Sequence, residues 1–179
     1  MTDKTEQKIL DAALKIFSEK GFKGATTRVI AQESGFSELT LFRKFETKEN
    51  LFNSVMIRNR ERVLNELDSI LVDKEFENSK DFLETIIKNV ANLIEKDFAF
   101  VHVLVHNKSE ISGDILMEIM SHISEYIESE FPNIEIEPKI FVLNIFSFLY
   151  FVIFDQHRRK FFNCEEAINE FIDHSTRCL

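Results

Sequence analysis

The sequence predicts an all-α protein, and three observations carry that expectation. Turn-forming residues are scarce: the 179 residues include 4 Gly and 2 Pro, whereas an all-β fold needs a turn roughly every 8–12 residues. Three of the four glycines, Gly21, Gly24 and Gly35, fall near the N-terminus, which concentrates the tight turns there and leaves the rest to long helices. Apolar residues also recur at helical spacing from the first segment onward. With 44% hydrophobic and 30% charged residues, the chain has the composition of a soluble globular protein and the length to bury a core.

Ile9, Leu10, Ala13, Leu14, Ile16 and Phe17 form the apolar stripe of a first helix, with Lys8, Asp11, Lys15 and Glu19 on the other side. Gly21 is placed to stop it. After a turn through Gly24, Thr26 or Thr27 caps a short second helix running to Ser34. Gly35 and Phe36 make a corner. Ser37 then caps a third helix over 38–45, with Glu38 at its positive end. Thr47 caps a fourth over 48–73, whose apolar positions are Leu51, Phe52, Val55, Met56, Val63, Leu67, Ile70 and Leu71.

Further helices are expected over 79–95, 97–107, 112–130, 138–159 and 164–178. The segment Phe98–His106 is strand-like in composition, but a lone strand has nothing to pair with, so it is read as helical. Pro138 at one end and His157, Arg158, Arg159 and Lys160 at the other frame a well-terminated helix. Asn163 followed by Glu166 reads as a cap-and-return pair for the last one. The total is about nine helices.

Two short helices joined by a turn containing Gly, under a longer first helix, describe a helix-turn-helix whose third helix enters a DNA major groove. The same spacing also suits a helical bundle that binds no nucleic acid. Charge leaves the first reading open. Residues 1–50 hold nine basic and eight acidic residues, while residues 51–179 hold 13 and 23, within a net charge of −9. An acidic body carries a near-neutral head.

The stretch Ile9–Phe52, ILDAALKIFSEKGFKGATTRVIAQESGFSELTLFRKFETKENLF, resembles the N-terminal domain of the TetR family of transcriptional repressors. Ala13, Phe17, Gly21, Thr26, Ile30, Ala31, Gly35, Ser37, Thr40, Leu41, Phe45, Lys48 and Leu51 match in the family's order and spacing. The resemblance implies a helix-turn-helix DNA-binding domain over 1–47 and a helical ligand-binding and dimerisation domain over 48–179. It places Thr26, Thr27, Arg28, Ser37, Glu38, Leu39, Thr40, Phe42, Arg43, Lys44 and Lys48 against double-stranded DNA. Arg43, Lys44 and Lys48 are expected to carry much of the electrostatic contact. Lys48 would combine its charge with the backbone N–H groups of a helix start, which suit a phosphate.

Two positions depart from the family. Phe42 stands where relatives carry a tyrosine whose hydroxyl reaches a phosphate; Phe42 either forfeits that bond, worth about 1 kcal/mol, or packs into the small domain's core. Glu38–Leu39 replaces a basic and a small residue. Glu38 either accepts from a cytosine amino group or caps the helix, and Leu39 offers apolar contact, for example with a thymine methyl.

Ile140–Phe154 is apolar nearly all round, and the last helix carries an apolar stripe. A single-chain core could absorb both, but a two-fold homodimer would bury the surplus. This matches the four-helix interface that the resemblance implies, here through Ile145, Phe148, Val152, Ile168, Phe171, Ile172 and Ser175. The same apolar run is too short and too interrupted, by Asn144 and Ser147, to read as a membrane span. Arg58, Arg60 and Arg62 read as a solvated face, with DNA as the alternative. Cys164 and Cys178, too far apart along one helix for a disulfide, read as reduced thiols in a cytoplasmic protein.

No catalytic constellation stands out, and no cofactor is expected. His102, His106 and Glu110 fall at i, i+4 and i+8, but two histidines without a clear third ligand do not make a metal site. The body holds 14 of the 19 phenylalanines and few basic residues, which suits an apolar small-molecule effector. Its candidate lining is Phe98, Phe100, His102, Val103, His106, Leu116, Met120, Phe148 and Phe151. The leading expectation is therefore a ligand-responsive, homodimeric repressor of a palindromic operator. The rivals are a helical small-molecule-binding protein and a repressor without an effector.

Overall fold

The computed structural model describes residues 4–71, 76–130 and 136–175, and these form helices joined by turns, with no strand among them. The order is α1 (Lys4–Gly24), α2 (Thr27–Ser34), α3 (Glu38–Phe45), α4 (Lys48–Leu71), α5 (Ser79–Lys96), α6 (Phe98–His106), α7 (Glu110–Glu130), α8 (Pro138–Arg158) and α9 (Cys164–Ser175). The all-α expectation holds. The ends expected at 73 and 178, and Cys178 itself, lie outside the described residues.

Local capping chemistry sets most boundaries. Thr26, not Thr27, caps α2, its hydroxyl accepting from the Val29 N–H at 3.3 Å. Gly35 ends that helix in the left-handed region at φ 75°, with N–H bonds back to Ala31 and Gln32. Ser37 accepts from the Thr40 N–H at 3.2 Å to start α3, and Thr47 accepts from the Asn50 N–H at 3.0 Å to start α4. Pro138 opens α8, and Asn163 accepts from the Glu166 N–H at 3.3 Å before α9.

Gly21 does less than expected. It does not stop α1 but breaks its axis: φ 67° and ψ 168° are non-helical, yet helical turns resume through Gly24. At the other corner Glu46 takes φ 63° and ψ −48°, and the Thr47 N–H reaches the Phe45 carbonyl at 2.7 Å. This is a three-residue turn of the rare, strained hand.

The residues group into two compact units, residues 1–63 with 99–116 and residues 64–98 with 117–179. The three divisions fall inside α4, α6 and α7 rather than in a linker. In the first unit Ile9, Ala13, Ile30 and Met56 are fully buried, and Phe17, Phe22 and Phe52 pack edge-on and stacked with centroids 5.1 to 5.8 Å apart. Such aromatic pairs add about 0.5–1.5 kcal/mol beyond their buried area. Arg58 of α4 pairs with Asp11 of α1 at 2.6 Å, and Arg62 donates to the buried Asn59 at 2.9 Å. The arginine cluster is thus partly a structural brace rather than only a solvated face.

In the second unit α5 packs on α8 and α9, and α8 on α9. Phe82, Ile87, Leu149 and Ile172 lie in its core. α8 is long and apolar enough by composition to cross a membrane. Here Phe141, Val142, Ile145, Leu149, Tyr150, Val152 and Ile153 are buried within the protein.

Candidate nucleic-acid interface

α3 is eight residues long, and only Leu41 and Phe45, four apart, are buried. They fix one face to the domain. The remaining positions face outward: Leu39 is 57% exposed and Phe42 65%. The core alternative for Phe42 is therefore set aside; the ring stands in solvent. The Ser37 and Thr40 hydroxyls are 2.9 Å apart at the helix start. Glu38 accepts from the Thr27 hydroxyl at 3.2 Å, which ties α3 to α2 and orients the carboxylate along the α2–α3 seam. Arg28 of α2 and Arg43 of α3 are exposed.

The expected cations divide. Lys44 lies 3.9 Å from the Glu6 carboxylate, a loose ion pair with α1. Lys48 turns inward: its ammonium donates to the Phe22 carbonyl at 2.9 Å and the Ala25 carbonyl at 3.1 Å and sits 4.3 Å from the centre of the Phe22 ring. An ammonium has three donors, and two of them hold the corner between α1 and α2. With two donors so engaged, Lys48 braces the domain, and one donor is left for the expected phosphate contact. Its side chain follows carbonyls more than twenty residues away, which spacing along the chain does not reveal.

The residues of the expected effector lining are shared between the two units. Phe100, His102, Val103, His106 and Leu116 belong to the first unit, and Phe98, Met120, Phe148 and Phe151 to the second. Phe100 is fully buried and Val103 nearly so. The His106 Nδ1 lies 3.1 Å from the His102 carbonyl, and their rings are 4.2 Å apart. α6 ends at His106 and Glu110 opens α7, so the three do not share one helix face. Among the described residues no cluster of three metal-ligating side chains forms.

Phe98 stacks on His157 at 4.1 Å, along the side of α8 that carries Tyr150 and Phe154. His157 also meets Glu95 at 3.1 Å. Phe148 and Phe151, with Phe154, line a groove of about 1020 Å³ between α8 and α9 that also takes in Phe162, Phe171 and His174. Burial pushes the Tyr150 hydroxyl up to about 12, with Arg158 opposing the rise. Burial, and then Glu95, raises the Cys164 thiol.

The residues expected at a dimer face differ in how far the single chain already covers them. Ile145, Val152, Ile172 and Ser175 are already buried in the chain's own core. Ile168 is half-buried, and Phe148 and Phe171 stack on each other at 4.1 Å. The apolar surplus sits instead on Ile140, Leu143, Phe151, Phe161 and Phe162, all at least 49% exposed. Sequence reasoning missed Phe161 and Phe162. Their signal was present: two adjacent phenylalanines between helix-ending basic residues and the Asn163 cap. Both backbone N–H groups are held by the Asp155 carboxylate, at 2.7 and 3.0 Å.

A short helix anchored by two buried side chains, capped by Ser37 and set behind the Gly35 corner, defines a helix-turn-helix protein. Residues 9–55 match the family described as bacterial regulatory proteins, tetR family. The uncharacterized HTH-type transcriptional regulator YvkB of Bacillus subtilis is 29% identical over 100 residues, 49% of this chain and 53% of its own. The chain thus spans about half the length of that curated relative. Over nearly its whole length the fold is that of solved regulators. A tetR-family bacterial regulatory protein from Rhodococcus RHA1 superposes with a TM-score of 0.76 at 19% identity, covering 99% of this chain and 97% of its own. The transcriptional regulator FadR of Bacillus subtilis, solved in complex with stearoyl-CoA, gives 0.73 at 16% identity, covering 93% and 95%. All three are named as regulators.

Proposed function

We propose that the chain is a cytoplasmic, homodimeric transcriptional repressor that occupies a palindromic operator and is released by an effector with a long apolar body. The observation that carries the DNA reading is α3: two buried anchors, a capped start and an exposed outer face flanked by Arg28 and Arg43. Two copies related by a two-fold axis would set their α3 helices roughly 34–36 Å apart, one turn of DNA, so that both enter successive major grooves. The exposed phenylalanines beside the α8–α9 groove support pairing through that face.

An effector acts only through its different affinity for the DNA-competent and DNA-incompetent states. Nineteen phenylalanines favour an apolar body for it. Between residues 81 and 137 the basic side chains are Lys88, Lys96 and Lys108, which favours recognition of the apolar part over an anionic head. The stearoyl-CoA bound by the structurally similar FadR supports a fatty acyl chain. A second reading, a repressor with no effector, is favoured by the full burial of Phe100, an expected lining residue.

The test is a gel shift on the region upstream of the chain's own gene, followed by titration with a long-chain fatty acid, its CoA thioester and a planar aromatic. Retardation reversed by either acyl compound is the expected result. A protein that retards no duplex beyond non-specific binding overturns the repressor; retardation that none of the three reverses favours the second reading.

A further inference from the structure

The groove between α8 and α9 is long, apolar and marked by one unmatched charge. The two helices fold back on each other through residues 159–163, and Phe148 of α8 stacks on Phe171 of α9. Ser147 and Arg159 both line the groove. Twelve residues apart, they span about 18 Å at the rise of an α-helix. Phe151 and Phe162 stand in it more than half exposed. A slot of this length suits a linear hydrocarbon better than a compact ring system. Its charges are not equivalent. The Asp155 carboxylate is engaged, accepting from the N–H groups of Phe161 and Phe162 at 2.7 and 3.0 Å. Glu170 also borders the acidic face of α9, with Glu166 and Asp173. Arg159 is exposed, and among the described residues its guanidinium has neither an ion pair nor a hydrogen bond. A guanidinium fork receives a carboxylate through two parallel hydrogen bonds.

We infer that the α8–α9 groove binds a long-chain fatty acid, with the alkyl chain along Phe148, Phe151 and Phe171 and the carboxylate on Arg159. This rests on the repressor reading above and deepens it by naming where the effector sits and how it acts. Phe151 and Phe162 belong to the face through which two copies pair in that reading. A chain laid against them takes the same apolar surface, so fatty acid and second copy exclude each other. Separated copies no longer hold two α3 helices one DNA turn apart, and the operator is released. Because such coupling is reciprocal, a higher protein concentration weakens the apparent affinity for the acid.

The full-length protein is tested by equilibrium dialysis with radiolabelled dodecanoate and dodecanol, and by photolabelling with a fatty acid that carries a terminal diazirine. Sedimentation velocity with and without dodecanoate reads the pairing. Dodecanoate should bind about tenfold more tightly than dodecanol, the factor for one charge-assisted hydrogen bond. Arg159→Gln should remove that advantage and leave dodecanol binding unchanged. Label should fall within residues 138–175, and saturating dodecanoate should convert dimer to monomer. Absence of saturable binding overturns the inference, as does label confined to residues 79–130. An equal loss of acid and alcohol binding in Arg159→Gln also overturns it, since a merely structural arginine would act in that way. So does a dimer that persists with the groove filled. Release of DNA by an acid that labels elsewhere sinks the groove but leaves the repressor standing. Protein that retards no duplex sinks the repressor, while dialysis and labelling still decide the groove.

Discussion

Removing the ammonium of Lys48 would leave the carbonyls of Phe22 and Ala25 without a donor and strip the Phe22 ring of its cation. Part-buried acceptors left in that state cost about 1–3 kcal/mol. Lys48→Ala should therefore lower stability in urea denaturation by that amount, while the salt dependence of DNA binding changes by less than the one unit expected of a lost phosphate contact. A variant of unchanged stability whose salt slope falls by a full unit would make Lys48 chiefly a phosphate contact. Tyr150 offers a pH test. Its hydroxyl is raised to about 12 by burial, against about 10 for an unfolded tyrosine. Between these values the unfolded chain has lost the proton that the folded chain keeps, so the unfolded state binds fewer protons and stability falls as pH rises. Tyr150→Phe should flatten that alkaline decline, leaving the part due to Tyr126, which burial also raises. An unaltered decline would show that Tyr150 ionises as freely folded as unfolded.

The elements turn on two unusual backbone positions. Gly21 has a φ/ψ pair essentially confined to glycine, and a β-carbon there would meet no atom within 4 Å. Gly21→Ala should thus cost about 1–3 kcal/mol through backbone strain alone. Glu46 holds positive φ with a side chain. Glu46→Gly should stabilise the protein by about 1 kcal/mol, since relief of strain exceeds the added freedom of the unfolded chain. Thermal melts of the two variants, moving in opposite directions, would check both. These cases also mark what was legible in the sequence. The caps at Thr26, Ser37, Thr47 and Asn163 act within three residues, and the helix starts they set are where spacing puts them. Gly21 is visible as a break, but whether the helix resumes beyond it depends on packing. The engagement of Lys48, and the burial of Ile145 and Ile172 in the chain's own core, depend on partners remote in sequence. Periodicity says that a face is apolar, not which apolar surface covers it.

At the scale of the whole molecule, the proposed pairing depends on side chains that one copy leaves in water. Phe151 is 66% exposed beside the α8–α9 groove, whereas Ile145 on the same helix is 3% exposed. Glutamate at the two sites should have different consequences. Phe151→Glu should keep the melting profile of a folded chain but sediment as a monomer that no longer holds a palindromic site. Ile145→Glu should unfold the second unit, because a buried unpaired carboxylate costs several kcal/mol. Wild-type protein that sediments as a monomer at micromolar concentration would sink the pairing.

α3 depends on its core through only two of its eight side chains, Leu41 and Phe45. Leu39, Phe42 and Arg43 are exposed, so substitutions there meet little penalty from the rest of the molecule. For a lineage this separates two kinds of inheritance. The anchors, caps and corners keep the helix at its post, and under the proposed function a change in the outward letters would alter its address on DNA. A duplicated copy of such a gene can change its target by a few codons, without first having to rediscover how to fold.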